Sequence, residues 1–480
     1  MSEADIKTEK SPNPIEDKGF VRNAVTIAIP SMIAFMIDYS YQLVDTFWVS
    51  QLGLGAPTAV LIASTILLLF MSLNNIVSSS TIPIFSQTFG SGDKEKTGYV
   101  ILQGILFKLA LGILAAVLYL FVINNMLFLY TDNAMVIDKI KSYGNIIFMS
   151  LVIMLPYGSM LTGLRTINEA PKTMIISIIC ASFNIILDPI LIFGIGILDP
   201  IINFFGISTF ESIGKAEMFK MGIEGAALAT VLTQLLGMIL ATIILINNRE
   251  GIKVFKIKHL IFDKRLYIKM LTIGLPVGMV SFIWNIEQNV IASVIESYGI
   301  LISDGFGIAV KIRGLFVLGM FGLSLGTALA CGKYIGAERF DIIRRDLKKL
   351  ALGGAFMMGL ICVPIIIFAN PILELFTNVS ETVEYGALFL RFFAVLLIII
   401  CVRFIFEGPF KGAGKNIPVL IVNAFIMILI EVPLVFVIGQ FLHIDIIYLV
   451  VTILITNFIN MLVFYFLFRT RIWEKPASIH

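Results

Sequence analysis

Residues Ile101 to Val122 read ILQGILFKLALGILAAVLYLFV, and this run decides the class of fold. It supplies about 20 mostly apolar residues, the length an α-helix needs to cross the hydrocarbon core of a bilayer. Backbone polar groups cannot be left unpaired in lipid, so such a run must be helical. Eleven further runs of comparable length accompany it, and the chain is 58% hydrophobic with a mean hydropathy of +0.96. These values lie well beyond the soluble globular range. The expectation is an all-α membrane protein with twelve transmembrane helices.

The first six helices are expected near 24–50, 58–84, 98–124, 139–162, 172–197 and 223–247. The other six fall near 268–296, 305–331, 349–369, 383–404, 417–440 and 446–468. Met1 to Lys18 is polar and carries Pro12 and Pro14, which reads as a cytoplasmic tail and not as a signal peptide. Orientation follows from Lys and Arg in the loops. The connection after helix six carries Arg249, Lys253, Lys256, Lys258, Lys264, Arg265 and Lys269. The connection after helix eight carries Lys333, Arg339, Arg344, Arg345, Lys348 and Lys349, whereas the loops after helices one, seven, nine and eleven carry none. Both termini are therefore expected in the cytoplasm. The net charge of +3 reflects this topology and gives no nucleic-acid signal.

The chain repeats itself. At a shift of 246 residues Pro30 falls on Pro276, Gln42 on Gln288, Val44 on Val290, Gly53 on Gly299, Thr81 on Thr327 and Gly90 on Gly336. At a shift of 247, Pro171 falls on Pro418. An even number of helices per repeat puts both halves into the membrane in the same direction, as in transporters built from parallel repeats. The expected domains are a tail (1–22), a first lobe (23–247), a basic linker (248–269), a second lobe (270–469) and a cytoplasmic C-terminal tail (470–480). No G-x-x-x-x-G-K-[ST] phosphate loop occurs, so either an ion gradient supplies the driving force or there is none.

Charge inside a bilayer is costly, so each intramembrane acid is a functional candidate. The first half holds Asp38, Asp45 and Asp188. From the topology, Asp45 of helix one, Asp188 of helix five and Thr230 of helix six all lie roughly 8–15 Å below the outer end. Asn184 lies one turn before Asp188 on the same helical face. Two carboxylates, an amide and a hydroxyl form a hard-oxygen set suited to Na⁺, and the carboxylates alone could carry a proton. The bland alternative is local capping or helix–helix bonding at each position. Asp38 lies about 10 Å deeper than Asp45, either as a cavity acid or as a partner of Lys108. Pro30 either bends helix one or marks the start of the span. The second half replaces Asp45 by Ile291 and has its own charges, Glu287, Arg391 and Glu431, with Lys311 and Arg313 as candidate ion-pair partners. Cation coupling is accordingly expected in the first lobe.

Four cysteines (Cys180, Cys331, Cys362, Cys401) sit in or beside apolar spans without metal-ligand spacing, and all three histidines fall in loops or a terminus. No nucleophile–base constellation appears, so an enzyme is not expected. The 39 Phe and 20 Met suit an interior for varied apolar cations, or simply lipid-facing and core surfaces.

The run Val44-Asp45-Thr46-Phe47-Trp48-Val49 followed by Gly53 resembles the helix-one signature of multidrug and toxic compound extrusion (MATE) transporters. Asn184-Ile185-Ile186-Leu187-Asp188-Pro189, Gly225-Ala226-Ala227-Leu228-Ala229-Thr230 and Lys411-Gly412-Ala413-Gly414-Lys415 resemble further stretches of that family. The resemblance spans about residues 20–470 and is similar to the DinF-like prokaryotic branch. It implies a V-shaped exporter of two six-helix lobes, multi-pass in a prokaryotic plasma membrane, exchanging Na⁺ or H⁺ for amphipathic, often cationic, small molecules. It also implies a first-lobe cation site at Asp45, Asn184, Asp188 and Thr230, no cofactor and a monomer. The pattern departs at helix seven, where Trp284 stands eight residues after the proline and Glu287 follows one turn later. It departs again after helix four, where Gly163-Leu164-Arg165 is expected as a loop, and in a long external loop, 198–221. A lipid-linked oligosaccharide flippase is the alternative function. Twelve helices and first-lobe acids speak against it, and the matched acid depths speak against a channel.

Overall fold

The computed structural model describes residues 19–53, 55–125, 134–194, 220–442 and 444–475. Of the expected tails, 1–22 and 470–480, residues 1–18 and 476–480 lie outside the described residues, as does most of the 198–221 loop. The first lobe contains α1 (Phe20–Ser50), α2 (Ala56–Gly90), α3 (Lys94–Asn125), α4, α5 (Ala170–Phe193) and α6 (Ile223–Ile246). The segments of α4, Ala134–Met149 and Leu151–Thr166, meet at a 42° bend. The second lobe contains α7 (Lys264–Glu296), α8 (Ile300–Gly336), α9 (Phe340–Ile367), α10 (Ser380–Ala413), α11 (Asn416–Phe441) and α12 (Ile446–Arg469). Among the described residues ten helices are long and apolar enough to cross a bilayer, and the joined α4 makes an eleventh. The remaining helix, α2, is 35 residues long.

Local chemistry sets the ends. The Asp93 carboxylate accepts from Lys96 N at 2.8 Å, Asp263 from Leu266 N at 3.0 Å, and Asp445 from Ile447 N at 2.9 Å. Each satisfies one of the orphan donors of a helix start. Gly414, at φ 72°, ends α10 in the left-handed conformation that glycine adopts without strain. The Gly163–Arg165 segment expected as a loop is instead the last turn of α4, and Arg165 is buried there. Much of α11 is π-helical, over Ala424–Glu431 and Val437–Phe441.

The lobes meet where backbones touch. A Cβ on Gly90 of α2 would lie 1.9 Å from the Lys333 carbonyl oxygen of α8, and one on Gly336 would lie 2.0 Å from that of Gln87. Gly90 and Gly336 are repeat counterparts, as are Gln87 and Lys333, so the two contacts are images of each other. A Cβ on Gly332 would meet the Oγ of Ser86, its own counterpart, at 1.8 Å. A residue touches its counterpart only on the symmetry axis. The pseudo-twofold therefore runs between α2 and α8 at the end of the bundle that carries the basic loops.

Around this axis the lobes exchange the first parts of their leading helices. Phe20, Ala24 and Ala28 of α1 belong to the second lobe's core, where Phe20 packs edge-on against Tyr334. Leu266, Tyr267, Met270 and Ile273 of α7 belong to a first-lobe core. Gly326, Gly322 and Gly319 of α8 lie against Ala28, Met32 and Met36 of α1, and Gly274 of α7 lies against Ile76 of α2. Small residues allow such close packing between helices that have no hydrophobic drive to associate in lipid. Polar links reinforce the seam: Gln87 Nε2 donates to Gly412 O at 2.7 Å, and Lys333 Nζ to Asn168 Oδ1 at 2.7 Å. The last glycine approach towards the opposite end is Gly314 to Tyr39. Beyond it Ser40, Gln42, Leu43 and Phe47 of α1 are exposed. The lobes are thus closed at the basic end and part towards the other.

Gly336→Ala should destabilise the protein or prop the seam open by about 1–3 kcal/mol of overpacking. Gly353→Ala, whose added Cβ meets no atom within 4 Å, should be tolerated. Thermal melting of both variants in detergent checks this, and equal melting temperatures would remove the seam from the account.

Candidate cation site in the first lobe

Asn184 and Asp188 are fully buried on α5, and Asn184 Nδ2 donates to Asp188 Oδ1 at 3.2 Å. The 3.6-residue period places them one turn apart on one face, as the sequence indicated. α5 packs against α1 on one side and against α6 on the other. Gly225 allows the second contact, because a Cβ there would lie 2.1 Å from the Leu191 carbonyl oxygen. Asp45 comes from α1, within electrostatic reach of Asp188. Three oxygens here are enclosed and without a hydrogen-bond partner: Asp45 Oδ1, Asp188 Oδ2 and Asn184 Oδ1. Buried polar atoms are nearly always paired, so this group of acceptors has room for a donor, such as a water or a proton, or for a cation. Asp45 as a residue is only half-buried.

Thr230 is half-buried on α6 and donates to Ala226 O of its own helix at 3.2 Å. It is hydrogen-bonded to neither carboxylate. The sequence did not single out Tyr41 and Tyr143, whose phenols lie within electrostatic reach of both Asp45 and Asp188. Nothing in the spacing pointed to Tyr143, because it arrives from α4.

Asp38 forms a second layer nearer the basic end. It does not pair with Lys108, which donates to Ser78 Oγ of α2 at 2.7 Å. Its neighbours are the Ser177 hydroxyl and the Arg165 guanidinium, and Arg165 in turn lies over the Phe35 ring at 5.3 Å. Pro30 is buried ten residues into α1, so it is not the first-turn proline that the alternative reading required. It sits in the part of α1 that packs on the second lobe.

The second lobe treats its charges differently. Arg391 is exposed and donates to Asn370 Oδ1 at 2.7 Å, and Lys311 is exposed, so neither joins the expected ion-pair set with Glu287. Arg313 lies near Glu287, donates to Gln288 Oε1 and stacks on the Phe393 ring at 4.4 Å. Glu287 of α7 and Glu431 of α11 are buried beside each other. Glu431 Oε2 accepts from Thr456 Oγ1 at 2.7 Å and from Asn457 Nδ2 at 3.2 Å. Arg403 joins the same network through Asn457 Oδ1 at 3.3 Å, and Glu407 holds Lys411 at 2.7 Å. The Arg403, Glu407 and Lys411 ladder on α10 was visible as an i, i+4, i+8 pattern but was not singled out.

Two repeated helical lobes, with orphaned acids enclosed in a span, define a membrane transporter. Residues 30–190 and 276–437 both match the sequence model of the MatE family, and the chain belongs to that family. The matched segments start 246 residues apart, which is the offset of the internal repeat. The chain is 21% identical over 448 residues to the probable multidrug resistance protein YoeA of Bacillus subtilis, covering 93% of this chain and 92% of that one. It is 22% identical over 420 residues to the FAD transporter of Shewanella oneidensis, covering 86% and 87%. Its fold superposes with a TM-score of 0.81 on an outward-facing multidrug resistance MATE transporter, at 20% identity and over 96% and 97% of the two chains.

Glu431→Leu should lower the melting temperature in detergent through about 1 kcal/mol of lost hydrogen bonding, because Thr456 and Asn457 lose the carboxylate and keep only the Ile453 carbonyl as acceptor. Glu431→Gln keeps an acceptor and should recover most of the loss. Equal melting of the two variants would mean that these bonds carry no stability.

Proposed function

We propose that this protein is a secondary active exporter that antiports amphipathic or cationic small molecules against Na⁺ or H⁺. The observation that carries the reading is the trio of enclosed, unpartnered oxygens of Asp45, Asp188 and Asn184. The multidrug names of relatives support the substrate class. Both termini are taken as cytoplasmic from the basic loops, in a multi-pass protein of a bacterial cell membrane. On that orientation the protein is closed to the cytoplasm and open outward. The buried cations of the first lobe do not favour the flippase alternative. Arg165 is buried within electrostatic reach of Asp38, and Lys108 is buried and bonded to Ser78, so neither is displayed to an anionic lipid-linked sugar.

The mechanism follows from α1. Its outer half carries Asp45 against α5, and its other half is packed into the second lobe. Binding a cation or proton removes the repulsion between two enclosed carboxylates and changes how the outer half of α1 packs on α5. Pro30 has no amide hydrogen, so the helix is already missing one rung at the seam and can bend there. A change at Asp45 is thereby conveyed to the surface on which the lobes rock.

Asp45→Asn and Asp188→Asn should each abolish gradient-driven efflux from proteoliposomes while the protein still folds; near-normal efflux in both would refute the site. If Na⁺ is the coupling ion, Asn184→Ala should raise the Na⁺ concentration for half-maximal transport. Thr230→Ala, bonded to its own helix, should raise it less. An unchanged Na⁺ requirement with an altered pH profile would assign the proton. Pro30→Ala should slow turnover more than it weakens equilibrium substrate binding, and wild-type rates would leave Pro30 without a role.

A further inference from the structure

The linker between the lobes has an unusual surface. Its inner side is packed: Ile252, Val254 and His259 are buried, and His259 meets the Tyr99 ring edge-on. Lys253 O lies so close to α3 that a Cβ on Gly98 would be 2.5 Å away. Its outer side presents Ile257 at 88% exposure, Ile261 at 71% and Phe262 at 70%, with Leu260 between them. Four large apolar side chains within six residues of a loop are more than water favours. Exposed Lys253, Lys264 and Arg265 flank them.

Several backbone groups of the same turn are bonded within the protein. Gln103, buried on α3, donates through one Nε2 to His259 O at 2.7 Å and to Ile261 O at 2.7 Å. His259 N and Leu260 N are bonded within the turn. Asp263 accepts from Tyr99 and from Leu266 N, and the latter bond holds its carboxyl below its usual range. Loops in water leave carbonyls to the solvent. A loop with carbonyls claimed by a buried glutamine is fitted to a medium that offers no hydrogen bonds. The apolar face also continues into the exposed Ile268, Leu271 and Leu275 of α7, a span that faces lipid.

We propose that residues 255–265 form an interfacial anchor, which sinks Ile257, Leu260, Ile261 and Phe262 into the leaflet at the basic end while Lys253, Lys264 and Arg265 bind anionic phospholipid headgroups. Apolar residues beneath and cations above is the pattern of segments that lie in the membrane interface. The anchor ties the linker, and through Tyr99 and Gln103 the first lobe, to the leaflet at the basic end.

The test uses the full chain in vesicles of phosphatidylcholine with phosphatidylglycerol. All four native cysteines are buried, so Ile261→Cys can carry an environment-sensitive fluorophore, with Gln51→Cys as a water-exposed reference. The label at 261 should emit to the blue of the reference. It should be quenched by lipids bearing a nitroxide high on the acyl chain and shielded from aqueous iodide, with the reverse at 51. Replacing phosphatidylglycerol by phosphatidylcholine should reduce the lipid quenching. Lys253→Gln with Lys264→Gln and Arg265→Gln should remove that lipid dependence. With the label moved to Ile257→Cys, Ile261→Ser with Phe262→Ser should restore iodide access. Iodide quenching at 261 in every composition would overturn the proposal, because the linker would then be solvated. Shielding that disappears on dilution to one protein per vesicle would also overturn it, since a second copy of the chain would then be the cover.

Discussion

Backbone contact between α2 and α8 is the constraint on which the rest of the molecule depends. Gly90 against Lys333, its image Gly336 against Gln87, and Ser86 against Gly332 bring the helices to a distance at which no side chain fits. That approach places the pseudo-twofold at the basic end and leaves no room there for anything but the two helices. The leading helices must then pass to either side. α1 enters the second lobe's core and α7 enters the first's, so each lobe is held partly by a helix of the other. A pivot of this kind transmits motion well, because packed backbones are bistable and not elastic.

Within that frame the lobes surround their buried charges with different partners. The second lobe links its ions into a network, in which Glu431 accepts from Thr456 and Asn457 and Glu407 pairs with Arg403 and Lys411, although Glu287 Oε2 and Glu431 Oε1 are left without a partner. The first lobe leaves Asp45, Asp188 and Asn184 with acceptor atoms and no donor. Side-chain networks whose members are bonded to one another rigidify a core. The π-helical stretches of α11, Ala424–Glu431 and Val437–Phe441, have no counterpart in α5, which is α-helical throughout.

Several first-lobe features were legible because they are local. A single helix fixes the relation of Asn184 to Asp188, and helical rise fixes depth, so Asp45 and Asp188 could be matched without knowing how the spans pack. Features that depend on which helices are neighbours were not legible. Lys108 is close to Asp38 in the sequence of spans, yet it reaches Ser78 of α2. Arg165 was placed in a loop and is in fact a buried neighbour of Asp38. Arg391 was grouped with Glu287 but faces outward to Asn370. Thr230 has the right depth but spends its hydroxyl proton on its own backbone.

The sequence by itself determined the number of spans, the parallel repeat, the end at which the basic loops gather and the acids that no lipid-facing helix would tolerate. These follow from composition, period and charge, which act on each helix separately and need no partner. Only the tertiary structure decided that α1 crosses from one lobe into the other, that the axis lies at Ser86 and Gly332, and that the linker turns its apolar side outward. The physical reason is that packing in a membrane is governed by shape. Apolar residues on any face are equally content in lipid, so hydrophobic pattern cannot say which faces meet. The meeting faces are chosen by small residues and by polar groups that must find partners across helices.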